Sequence, residues 1–113
     1  MKKDPKVFIG HIFESIELIE IYIQEQNFQS FKSSIQLQDS LIRSLEIIGE
    51  ATYLLTKDFK NKHNSVEWND IIGMRHILVH GYYQIKDEIV WATIETELMP
   101  LKTEISKFLQ SLL

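Results

Sequence analysis

Cysteine is absent from this chain of 113 residues. That gap excludes disulfides, thiolate nucleophiles and thiolate metal sites together, and it fits the expected cytoplasmic location. Glycine and proline are scarce, at 4 and 2 residues. So few turn formers argue against a disordered chain and against an all-β fold with many tight turns. No apolar run is long enough to span a bilayer. No secretory segment is expected after Met1-Lys2-Lys3, because Asp4 and Pro5 intervene and His11 and Glu14 interrupt the next apolar stretch. Excess positive charge is missing too. The formal net charge is −4, which gives no global attraction to nucleic acid or to an anionic membrane. Any contact with RNA must then depend on a local basic cleft.

What is present is an ordinary globular balance, 44% apolar and 25% charged. The length suits a single domain over residues 1–113 with a sizeable core. The apolar residues recur at helical spacing from end to end. Asp4-Pro5 is a cap and first-turn pair for a helix carrying Val7, Phe8, Ile12, Ile16, Ile19 and Ile23 and ending near 25–27. A second helix is expected from about Ser30 to Leu55, with Leu37, Leu41, Leu45 and Ile48 on its apolar stripe. The polar stretch 57–64 reads as a loop. Ser65 can cap a third helix through Trp68, Ile71, Ile72, Arg75, Leu78 and Val79, with Gly81 near its end. A fourth helix starts at Asp87, and Pro100 should kink or break it and leave a short terminal helix from Leu101. The expectation is all-α: an antiparallel four-helix bundle with a short extra C-terminal helix.

The chemistry concentrates in Arg75-His76-Ile77-Leu78-Val79-His80-Gly81-Tyr82. Arginine offers a planar fork of donors to phosphate oxygens. Histidine exchanges a proton near neutral pH, and tyrosine adds a hydroxyl and a stacking face. A helix turns about 100° per residue, so Tyr82 returns close to the face of Arg75, whereas Arg75 and His80 point roughly 140° apart. The two could meet at one phosphate if Arg75 reaches round, if the helix distorts towards Gly81, or if a second copy of the chain supplies one of them.

Around this motif the chain resembles the HepT-like branch of the HEPN superfamily, small helical toxins paired with minimal nucleotidyltransferases. Arg75, His80 and Tyr82 fit its Arg-x4-His-x-Tyr form. The stretch from Arg43 through Glu46, Gly49 and Glu50 to Ala51 resembles the family's second-helix signature. Trp68 to Arg75 and Ile89-Val90-Trp91 with Pro100-Leu101 also fit. One departure is His76, where asparagine is more usual. The resemblance implies a HEPN-like helical domain acting as a metal-independent endoribonuclease, with no cofactor and a composite cleft in a homodimer. His80 would take the 2′-hydroxyl proton, and Arg75 would bind the scissile phosphate and stabilise its developing charge. Tyr82 would be the tyrosine to which the partner nucleotidyltransferase, the antitoxin, attaches AMP. A bulky anion there would block the cleft and repel RNA.

Plainer readings stand beside these. His76 and His80 have the spacing of a helical zinc pair, but Ile77 replaces the glutamate of a zinc protease and no third ligand is near in sequence, so no metal is expected. His76 could equally be a hydrogen-bonded structural residue or a site-lining one. Arg43, Glu46 and Glu50 share a helix face and could form a simple ion-pair ladder. Alternatively, Glu46 or Glu50 orients Arg75 in a cleft. Trp68 and Trp91 should anchor the core. The basic residues Lys57, Lys60, Lys62 and His63 fit solvated charge better than an RNA path. Two further functional readings remain: a non-catalytic adaptor or substrate-binding subunit of a nucleotidyltransferase complex, and a plain helical dimerisation module.

Overall fold

The carboxylate of Asp4 accepts the backbone N–H of Lys6 at 2.9 Å and caps helix α1, Pro5–Tyr22, which opens on the pre-set φ of Pro5. In a computed structural model that describes residues 4–81 and 85–112, this is followed by α2 Phe28–Ser33, α3 Ile35–Leu54, α4 Lys57–Lys62, α5 Trp68–His80 and α6 Asp87–Ser111. The fold is all-α, as the periodicity predicts. Helix α3 is central, packing against both α1 and α5, while α1 also packs on α6. Ile9, Ile12, Ile16 and Ile19 of α1 are fully buried, with Leu41 and Ile48 of α3 and Ile105 of α6. Trp68 and Trp91 are core residues as expected, and Trp91 lies 5.3 Å from the Phe31 ring, centroid to centroid.

The structure departs from the expected boundaries where polar side chains bond to backbone. The segment expected to begin one long helix at Ser30 is two helices. Asn27 and Ser30 form a reciprocal capping box that starts α2. Ser34 then ends it in extended conformation and caps α3 by accepting Leu37 N–H at 3.1 Å. Gln38 donates to the carbonyls of Phe31 and Lys32, both at 3.0 Å, closing the end of α2. The expected loop at 57–64 contains α4, capped by Thr56 and anchored by buried Phe59. Its basic residues are partly committed inward. Lys60 reaches the Thr52 carbonyl at 3.4 Å, and burial lowers its pKa from the ordinary value. The His63 ring lies 4.4 Å from Phe59 and 4.7 Å from Phe108. Ser65 does not cap α5. Glu67 holds the cap position, and the Ser65 hydroxyl donates to Glu104 at 3.1 Å.

A larger correction concerns α6. It runs unbroken from Asp87 to Ser111 with Pro100 inside it, so there is no separate terminal helix. Ile94 and Leu98 before the proline, and Ile105 and Phe108 after it, are all buried. Continuous burial of one stripe outweighs the local cost of a proline, about 3 kcal/mol in a helix interior. Lys102, just beyond the proline, is held by Glu20 of α1 at 2.6 Å. Since Pro100 is exposed, Pro100→Ala should restore the missing backbone bond without touching the core. We expect it to stabilise the protein by about 1–3 kcal/mol, read as a higher Tm. An unchanged or lower Tm would mean that the proline is accommodated at no cost.

Candidate functional site

Arg75 is held by one face of α3. Beneath it lies Gly49, whose hydrogen leaves room where a Cβ would collide with Arg75 Cβ and come within 2.8 Å of its Cγ. The neighbouring Glu50 carboxylate takes the Arg75 guanidinium at 2.5 Å. One turn on, the Tyr53 ring lies 5.9 Å below the guanidinium carbon, within cation–π range. Tyr53 shares a face with both Gly49 and Glu50, because it follows them by four and three residues on the helix. The arginine is therefore fixed in place while 27% of its side chain stays exposed. Of the two carboxylates weighed as partners for Arg75, Glu50 is the one that pairs with it. Glu46 instead faces Arg43 across 3.8 Å.

Arg75 opens into a cleft of about 480 Å³ where α1, α3 and α5 meet. Its polar lining is His11, Arg43, Glu46, Glu50 and Arg75, backed by apolar residues including Phe8, Leu54 and Val79. Arg43 is 72% exposed and only loosely paired, so it is available to an incoming anion. The local balance of two guanidiniums against two carboxylates differs from the acidic whole. By count this lining is neutral, so it is less acidic than the whole chain but is not by itself the local basic cleft that RNA contact was expected to need.

The two motif histidines lie on a neighbouring face of α5. His76 and His80 are both exposed, and their rings lie beside each other, tilted by 51° with centroids 4.9 Å apart. Neither lines the Arg75 cleft, whereas Val79, between their faces and that of Arg75, does. The angular divergence expected from helix geometry is thus what the fold produces within one chain. Gly81 ends α5, its N–H bonding to Ile77 O at 2.8 Å with φ at −112°, so no left-handed conformation is needed there. Tyr82 lies outside the described residues.

Two contributors, Tyr53 and His11, escaped the sequence reading, and Gly49 was noted only as part of the second-helix signature. Gly49 carried a signal, since glycine in a helix interior costs about 1 kcal/mol and calls for a packing reason. Tyr53 follows Glu50 by three residues and could have been placed on the same face. His11 had no local signal; only the packing of α1 on α3 brings it to the cleft. A second groove of about 750 Å³ between α3, α5 and α6 is mainly apolar, with Met74, Ile77, Ile85 and Ile89 in its wall. Among the described residues no three histidine or carboxylate side chains converge to hold a metal ion. No described helix is long and apolar enough to cross a membrane.

A family model described as ribonuclease HepT-like matches residues 12–108. Over 112 residues the chain is 39% identical to a "gamma-glutamylcyclotransferase and putative RNase" of Methanocaldococcus jannaschii, covering 99% of this chain and 50% of that protein. The chain thus spans half the length of that relative. It is 36% identical over 108 residues to a "putative RNase" of Caldanaerobacter subterraneus subsp. tengcongensis, with 96% of each chain covered. A "probable ribonuclease HepT" of Thermococcus cleftensis is 36% identical over 107 residues, covering 95% of this chain and 97% of that one. No solved structure matches the chain.

Proposed function

Because this chain belongs to the HepT-like family of ribonucleases, we propose that it is the toxin half of a toxin–antitoxin pair, cutting RNA without a metal ion. The observation that carries this reading is Arg75, immobilised by Glu50 and Gly49 yet open to a cleft. A fixed guanidinium that costs no reorganisation is what a developing phosphorane charge requires. In the proposed reaction the ribose 2′-oxygen attacks the adjacent phosphorus while His80 accepts its proton. The bond from phosphorus to the 5′-oxygen breaks, leaving a cyclic phosphate and a free 5′-hydroxyl. Arg75 holds the phosphate through the donors that Glu50 leaves free, and Glu50 acts as its positioning residue. His76, whose ring lies 4.9 Å from that of His80, lines the site beside it and restricts the motion of that ring.

Within one chain Arg75 and His80 face different directions, which supports a homodimer whose cleft draws one group from each copy. Val79, apolar, exposed and lining the Arg75 cleft, is suited to cover by a second copy. The motif position of Tyr82 supports it as the acceptor of AMP from a cognate nucleotidyltransferase, which would silence the enzyme by charge and bulk.

The reading is tested with purified protein and RNA in excess EDTA, scoring product ends for cyclic phosphate. His80→Ala should lower the cleavage rate by about 10²–10⁴-fold. In matched-expression growth assays the wild type should arrest cells and His80→Ala should not, while Tyr82→Phe should arrest them even with the partner present. A wild type that leaves both RNA and growth untouched, and carries no AMP, would favour the adaptor reading instead.

A further inference from the structure

Cleavage by 2′-oxygen attack needs two proton transfers, one from the nucleophile and one to the departing 5′-oxygen. The attacking and leaving oxygens lie roughly in line across phosphorus, so the two groups must approach from opposite sides. His76 and His80 cannot divide these tasks easily, because their rings lie side by side on one face of α5, 4.9 Å apart. The Arg75 cleft contains a different imidazole. His11 comes from α1, across the cleft from α5, and lines it together with Arg75.

We infer that His11 is a second catalytic residue, the acid that protonates the 5′-oxygen as it leaves the phosphate held by Arg75. This assignment rests on the ribonuclease reading above. Among the polar groups facing His11, Arg43 and Arg75 do not release protons in proteins. Glu46 and Glu50 are each turned towards an arginine. Imidazole is the remaining group that can give up a proton near neutral pH and recover it from water. The His11 ring meets Phe8 edge-on at 6.5 Å, which limits its sweep while leaving it exposed to the cleft. In the full step the 2′-oxygen forms its bond to phosphorus as His80 takes the 2′ proton. The phosphorus–5′-oxygen bond breaks, its electron pair goes to that oxygen, and the proton of His11 imidazolium neutralises it. The products are the cyclic phosphate and the 5′-hydroxyl, with His80 protonated and His11 neutral.

The test uses the full chain and an oligoribonucleotide spanning a linkage that the wild type is found to cut. One version carries the ordinary 5′-oxygen at that linkage and the other a bridging 5′-sulfur, which departs as a thiolate and needs no acid. His11→Ala should lose about 10²–10⁴-fold on the oxygen substrate but stay near the wild-type rate on the sulfur one. His11→Asn, which keeps a polar side chain of similar width, should behave in the same way. His80→Ala should be slow on both substrates. If both His11 variants are slow on both substrates, or fast on both, His11 is not the acid. A wild type that cuts no RNA of either kind would instead overturn the ribonuclease reading and this assignment with it.

Discussion

Arg75→Ala is expected to lower RNA cleavage by about 10²–10³-fold, the usual cost of removing one preorganised donor from a developing oxyanion. The loss should fall on kcat, because the fixed guanidinium matters most when charge builds on the phosphate. Stability should change little. The Arg75–Glu50 pair is part exposed, with 27% and 47% of the side chains open to solvent, and such pairs contribute little to folding. Arg75→Lys should recover only a small part of the rate, since an ammonium offers a point charge where the site presents a fork. The same variant tests the shared site. If Arg75 and His80 of different copies meet at one phosphate, mixing inactive Arg75→Ala with inactive His80→Ala creates mixed dimers with one intact site each. With random exchange in a two-fold dimer, about a quarter of wild-type activity should return. No recovery after confirmed subunit exchange would place both groups in one chain, and Arg75 would then have to reach round the helix.

The fold class and most of the core were legible in the sequence because burial imposes a period. Ile12, Ile16 and Ile19 recur at helical spacing, and all three are fully buried. Arg75 was legible as a candidate phosphate ligand from its chemistry and its context. The divergence of Arg75 from His80 followed from helix geometry alone. What could not be read depended on contacts between segments distant in the chain. Ser34 and Asn27 divided an apparently continuous apolar pattern because their side chains compete for backbone partners. Pro100 stayed inside α6 because tertiary burial on either side outweighed a local penalty. His11 reached the cleft only through the packing of α1 on α3.

Gly49→Ala separates placement of the arginine from its chemistry, for every group that touches RNA remains present. The added methyl would collide with Arg75 Cβ, lie 2.8 Å from its Cγ and 3.3 Å from its Cα. Because a backbone atom is among the obstacles, a change of rotamer does not relieve the contact and α5 must shift away from α3. Alanine favours a helix interior over glycine by about 1 kcal/mol, while overpacking costs about 1–3 kcal/mol. The two effects oppose each other, so the net loss of stability should be about 0–2 kcal/mol. Catalysis has no such compensation. A displacement of about 1 Å at a positioning group can cost about 10²-fold in rate, and we expect a fall of that size with the fold retained. Gly73 supplies the contrast on α5 itself, since a methyl there meets nothing within 4 Å. Gly73→Ala should raise Tm and leave cleavage unchanged. Full activity in Gly49→Ala would show that the α3–α5 contact does not set the position of Arg75.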